Sequence, residues 1–261
     1  MSETNLSAAY VVRQEQAGVV RLTLNRASQF NSLSQAMMAA LQAELKEIAG
    51  REDLRVVVLA AEGKAFCAGH DLKEMQQQPD QAFYQALFKQ CSNLMLQIQQ
   101  LPQPVIARVQ GVATAAGCQL VAMADLAVAA DNARFAVSGI NLGLFCSTPA
   151  VALSRNLSRK QALEMLLTGD FIDAATALQR GLVNRVVAME QLDAEIEKLC
   201  SSILAKPAVA VSMGKHLFYQ QLEMGIAAAY QLAGATMACN LMHEDAQEGV
   251  TAFTEKRKPN W

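Results

Sequence analysis

The sequence predicts an α/β fold with a helical C-terminal region, and three observations carry that reading. Leu54–Ala60, Pro104–Gln110 and Leu126–Ala130 are apolar runs of strand length, the pattern of strands covered on both faces. Helical stretches near Gln81–Gln99 and Thr114–Ala124 alternate with them, as in an α/β core. From about Asn156 the helical pattern dominates, with Val183–Val187 the one strand-like stretch.

Taken in order, Tyr10–Asn25 carries two β-branched runs around the turn-like Glu15–Gly18, which suits a hairpin. Ser32 and Gln35 supply a capping-box pair ahead of Met38, Leu41, Leu45 and Ile48, an apolar stripe at helical spacing. In the second half, Arg159–Thr168, Ala174–Gly181, Leu192–Ala205, Val209–Glu223 and Ile226–Glu244 read as helices. Met224, Ala227, Ala228, Leu232, Met237 and Leu241 make an apolar surface too broad for a lone exposed helix, so this region packs on another subunit or folds back on its own domain.

Bulk properties narrow the function. The 261 residues carry 22 Lys plus Arg against 24 Asp plus Glu, so no global basic field draws nucleic acid. No apolar run reaches the roughly 18 residues of a membrane span. The opening stretch has no basic segment followed by an apolar one, and Glu3 and Glu15 argue against a transit peptide, so a cytoplasmic location is expected. Six scattered cysteines without CxxC spacing read as reduced thiols. Three histidines, in no cluster with ligand spacing, predict no metal site.

Two segments carry the chemistry: KAFCAGHDLKEM at Lys64–Met75 and ATAAGCQL at Ala113–Leu120. Each places tiny residues where the chain enters a helix, and a helix start leaves backbone N–H groups without intrahelical partners. Two such donors aimed at one point make an oxyanion hole, which stabilises charge growing on a carbonyl oxygen. Singly, either segment reads as close helix packing; together they favour acyl transfer, enolate or hydration chemistry.

With LTLNRASQFNSL at Leu22–Leu33, LTGDFIDAATALQRGLVNRVV at Leu167–Val187 and EGVTAFTEKRKPNW at the end, the order of motifs resembles the crotonase, or enoyl-CoA hydratase/isomerase, superfamily over essentially the whole chain. The resemblance implies a spiral of ββα units in residues 1–195, a helical trimerisation region in residues 196–261, and a homotrimer or dimer of trimers. It implies acyl-CoA thioesters as substrates, coenzyme A entering as part of the substrate, and no tightly bound cofactor.

By position, the resemblance makes the N–H groups of His70 and Ala116 the oxyanion donors, with alanine at 116 where the family usually has glycine. It puts Arg26, Ala27, Lys64, Ala65, Cys67, Ala68 and Leu72 beside coenzyme A, and Phe253 and Lys256, alongside Met237, near its nucleotide part. The two glutamates that handle protons in hydratase relatives correspond to Gln119 and Gly139, and neither an amide nor a glycine exchanges a proton at useful pH. Among the alternatives, Asp71 reads as a helix cap, Asp125 and Asp131 as turn residues, and Cys146 as a buried thiol. Three functions remain open: a hydratase-like lyase with displaced acid and base groups, a malonyl-type acyl-CoA decarboxylase, or a non-catalytic acyl-CoA binder.

Overall fold

The computed structural model describes residues 9–261; the expectation drawn from Glu3 lies outside the described residues. The chain runs β1 (Val11–Gln16), β2 (Val19–Leu24), α1 (Gln35–Ala49), β3 (Val56–Ala61), β4 (Ala65–Cys67), α2 (Leu72–Gln77), α3 (Gln81–Gln100), β5 (Val105–Val109) and β6 (Val112–Thr114). It continues through α4 (Ala116–Met123), β7 (Leu126–Ala130), β8 (Arg134–Ala136), α5 (Ser147–Asn156), α6 (Arg159–Thr168), β9 (Ile172–Asp173), α7 (Ala174–Arg180) and β10 (Arg185–Val187). Helices α8 (Leu192–Leu204), α9 (Ala208–Leu222), α10 (Ile226–Leu241) and α11 (Glu244–Thr254) end it.

The strands form two sheets, ordered β1-β2-β3-β5-β7-β10 and β4-β6-β8-β9. A long strand of the first sheet, a short strand of the second and one or more helices repeat three times, from β3, β5 and β7, which is a spiral of ββα units. The β1–β2 hairpin closes through Ala17 and Gly18, both at positive φ (49° and 79°), the two-residue turn that matches strand twist. Strand alternation explains the doubly buried apolar runs. Val57 and Leu59 face the main core, while Val56, Val58, Ile106 and Val128 face Leu192, Ile196, Leu199 and Cys200 of α8.

Two expectations are corrected. The cap of α1 is Ser34, accepting from the Met37 N–H at 3.2 Å, and not Ser32. Leu33 is drawn into a parallel bridge with His70, which keeps the chain extended until Ser34. The C-terminal helix expected over Ile226–Glu244 breaks at His243, whose extended backbone (ψ 143°) starts α11 with Glu244 and Asp245 in the first turn. Asp125 lies in the short bend between α4 and β7, as expected of a turn residue, and its carboxylate does more: it accepts from Lys215 Nζ (2.6 Å), Tyr219 Oη (2.7 Å) and the Val105 N–H (2.6 Å). Lys215 also donates to the Ile98 and Gln103 carbonyls, each at 3.0 Å, so this buried cluster pins α9 to the core.

Candidate active site

Strands β4, β6 and β8 lie side by side and parallel, so the segments leaving their C-terminal ends, residues 68–72, 115–119 and 137–143, emerge together. Those segments hold His70, Ala116, Gln119 and Gly139. Two hydrogen bonds tie the second to the third: Ala115 N–H to the Ala136 carbonyl (3.0 Å), and the Thr114 and Ser138 hydroxyls at 2.8 Å.

The first two segments are pressed into each other. A Cβ on Gly69 would sit 2.8 Å from Ala115 Cβ and 3.3 Å from Ala116 N, and one on Gly117 would sit 2.0 Å from the Cys67 carbonyl oxygen. Gly69 has φ +92°, and Ala115 takes φ 50°, ψ −122°, a combination normally left to glycine. Ala115 caps α4 without a side-chain hydrogen bond. Neither the His70 N–H nor the Ala116 N–H has an acceptor among the described residues, although Ala116 is buried. A buried helix start without a cap leaves its N–H groups to water or a ligand. The arrangement leaves two unpaired donors on adjoining loops, with the N-terminal end of the α4 dipole at one of them.

The side chains of His70, Gln119 and Cys146 are uncharged. His70 Nδ1 lies 3.2 Å from the Leu33 carbonyl oxygen, and since a carbonyl only accepts, Nδ1 carries the ring proton. Its Nε2 is buried with no partner, and the ring meets Phe88 of α3 edge-on at 5.5 Å between centroids. Burial pushes the imidazole pKa down and keeps it neutral. Gln119, 4% exposed, receives the Cys91 thiol on Oε1 at 4.0 Å, while its Nε2 has no partner among the described residues. Gly139 is closed in: a Cβ there would meet Cys146 Sγ and the Leu144 carbonyl oxygen, each at 2.7 Å. Cys146 donates to the Val137 carbonyl at 3.5 Å, and burial pushes its thiol up, as it pushes those of Cys67, Cys91 and Cys118 to about 12. Asp71 caps α2 through the Lys73 N–H at 2.9 Å.

The residues expected to face coenzyme A fall into two groups. Arg26 and Ala27 abut residues 62–65: Asn31, fully buried, accepts from the Arg26 N–H and donates to the Glu62 and Ala65 carbonyls. Ala68 N–H reaches the Phe30 carbonyl at 3.0 Å, joining the same loop to the hole segment. The Arg26 guanidinium stacks on Tyr10 (4.0 Å) and donates to the Ala9 carbonyl. Lys64 is exposed, Ala65 and Cys67 are buried, and Leu72 is 50% exposed. Phe253 and Lys256 stand apart: Phe253 is 85% exposed on α11, and no hydrogen bond or ring contact among the described residues joins either to these loops. Sequence reasoning missed the α3 face of Phe88 and Cys91, which supports both His70 and Gln119. Its signal was the three-residue spacing within the apolar stripe of α3.

Residues 14–261 match the enoyl-CoA hydratase/isomerase family. The mouse protein named enoyl-CoA hydratase domain-containing protein 3, mitochondrial, is 46% identical over 95% of this chain and 83% of its own length. A crystal structure of an enoyl-CoA hydratase from Mycobacterium smegmatis is 61% identical, covering 97% of this chain and 98% of that one, with TM-score 0.96. The crystal structure of human enoyl-CoA hydratase domain-containing protein 3 is 44% identical, covering 97% and 100%, with TM-score 0.94. The cytoplasmic expectation is overturned here: the mouse protein and four other vertebrate relatives at 44–46% identity are named mitochondrial.

Proposed function

Because the chain belongs to the enoyl-CoA hydratase/isomerase family, we propose that it binds acyl-CoA thioesters and stabilises negative charge on the thioester oxygen with the His70 and Ala116 N–H groups. One observation carries the reading: two unpaired backbone donors on loops packed against each other at Gly69. Removing a single oxyanion donor typically costs about 10²–10³ in rate, so a hole alone supports catalysis of an enolate-forming step. Arg26, Ala27 and Lys64–Leu72 line the coenzyme A side, mostly by backbone. Coenzyme A enters with the substrate.

The reaction is of the hydratase/isomerase type, a lyase reaction. A second reading, decarboxylation of a malonyl-type acyl-CoA, is favoured by Gln119 and Gly139, since loss of CO₂ forms the enolate without a base. Residues 1–195 form the binding core and residues 196–261 the oligomerisation region. Phe218, Leu222, Ile226, Tyr230, Met237 and Phe253, between 55% and 85% exposed, supply an apolar surface for other copies of the chain in a trimer or a dimer of trimers. In that assembly Phe253 and Lys256 reach a neighbour's coenzyme A.

Titration calorimetry with butyryl-CoA tests the binding, followed by assays of crotonyl-CoA hydration and of CO₂ release from malonyl- and methylmalonyl-CoA. Hydration without CO₂ release supports the first reading, and the reverse supports the second. Absence of butyryl-CoA binding overturns both.

A further inference from the structure

Away from the candidate active site, the face of the first sheet turned from the main core carries a polar pocket of about 260 Å³, whose walls include Arg21, Thr23, Ala60, Glu62, Arg108 and Gln110. The sheet sets these residues out. Val105, Ala107 and Val109 of β5 point into the main core, so Arg108 and Gln110 point the other way, as Arg21 and Thr23 do between Val20, Leu22 and Leu24 of β2. Thr23 pairs with Ala60 and Leu59 pairs with Ala107, which puts Thr23, Ala60 and Arg108 in one row across β2, β3 and β5, about 4.8 Å from strand to strand. The methyl of Ala60, between two longer side chains, leaves the depression. Arg21 stands one row behind, and Glu62 and Gln110 one row ahead, about 6.6 Å along the strands.

Donors gather at one end of the pocket and acceptors at the other. Asp193 of α8 accepts from Arg108 Nε (2.8 Å) and Nη2 (2.7 Å) and from Arg21 Nη2 (2.7 Å), so two guanidiniums share one carboxylate. Nη1 of each arginine and the Thr23 hydroxyl have no partner among the described residues. Glu62 is exposed and makes no ion pair among the described residues. Gln110, 4% exposed, donates through Nε2 to the Gly63 and Ala65 carbonyls (3.2 and 3.1 Å), which leaves Oε1 buried and unpartnered.

A simple anion meets the arginines but is repelled by Glu62 and gives nothing to Gln110 Oε1, while a simple cation is repelled by the arginines. A small molecule carrying a carboxylate and an ammonium suits both ends, since hydrogen bonds with an ionised partner are the strong ones. We propose that this pocket binds a free α-amino acid, with its carboxylate on Arg21, Arg108 and Thr23 and its ammonium on Glu62 and Gln110 Oε1. The site is separate from the acyl-CoA reading and does not depend on it.

Full-length protein free of coenzyme A is titrated by calorimetry with each of the twenty common L-amino acids. At least one is expected to bind with a Kd of about 1 mM or tighter. The matching carboxylic acid without the amine, and the matching amine without the carboxylate, should each bind about tenfold or more weaker, the loss of a hydrogen bond to a charged group. Arg108→Met removes one end of the pocket and Glu62→Gln the charge at the other; each variant, with a melting curve to show that it is folded, should weaken binding by about the same factor. Absence of binding by all twenty overturns the proposal, as do analogues that bind as tightly as the amino acid or an affinity unchanged in both variants. Displacement of the amino acid by coenzyme A also overturns it, because the pocket would then belong to the thioester. If Arg108→Met does not fold, Glu62→Gln at the exposed rim decides.

Discussion

Gly117→Ala is the sharpest test of the convergence of the two loops. A Cβ at this position falls 2.0 Å from the Cys67 carbonyl oxygen and 2.8 Å from Cys67 Cβ. Both belong to the buried strand β4. Carbon to carbonyl-oxygen contacts run at about 3.3 Å or more, so β4 and the start of α4 must separate by about 1.3 Å. That movement opens the gap between the His70 and Ala116 N–H groups, and a misplacement of about 1 Å in a positioned site costs about a hundredfold. The assay is the affinity for butyryl-CoA and kcat/KM on whichever acyl-CoA is turned over, with a melting curve as the control for folding. Overpacking of this kind costs about 1–3 kcal/mol in stability, so a folded fraction survives to be measured. Native affinity, turnover and melting temperature in Gly117→Ala would show that the loops are not pressed together and would refute the proposed hole.

Ala115→Gly relieves a backbone conformation that costs alanine about 1–3 kcal/mol, against about 0.5–1 kcal/mol of added chain entropy, so calorimetry should show a melting temperature raised by about 2–4 °C. Lys215→Met strands Asp125 in the core and should cost about 3–5 kcal/mol in a denaturant titration. Asp193, bound by Arg108 and Arg21 at 2.7 Å each, has its carboxyl held below the usual range. A depressed carboxyl contributes stability above its unfolded pKa of about 3.9 and loses it progressively as pH falls from there toward its lower folded pKa. Arg108→Met should therefore flatten the drop in melting temperature between about pH 5 and 3. Restoring glutamates with Gln119→Glu plus Gly139→Glu should give no gain in crotonyl-CoA hydration and a loss of about 1–3 kcal/mol, because the second side chain enters occupied space; a hydration gain at full stability would contradict the packing around Gly139.

The parts of the fold legible in the sequence were those with a periodic signal. Val56–Ala61 and Leu126–Ala130 are buried on both faces, so every residue had to be apolar, and the amphipathic stripe of α3 was long enough to read. The second sheet left no such trace: β4, β6, β8 and β9 have two or three residues each, too short for any period. The contact between the two candidate-site segments was legible because close backbone approach demands small residues. The buried ion pair of Asp125 was not, since its partner Lys215 lies 90 residues away and neither residue type favours burial. The orphaned Nε2 of His70 depends in the same way on Phe88 and Leu33, contacts that only tertiary structure supplies.

The two departures from the glutamate pattern are packed into the structure. Gly139 admits no Cβ because the chain turns back through Leu144 and brings the Cys146 thiol onto it. Gln119 has its oxygen facing the Cys91 thiol, a weak donor that suits an amide and would leave a carboxylate poorly solvated. Both substitutions thus come with a cysteine that fits the neutral residue. A site with two carboxylates must manage their mutual repulsion and resist an anion forming between them. In the proposed hole, neutral neighbours would leave the backbone donors to act on a developing oxyanion unopposed, in surroundings where burial strengthens each hydrogen bond. On the proposed function, such a site gives up proton exchange at two fixed carboxylates and keeps carbonyl polarisation by its backbone donors.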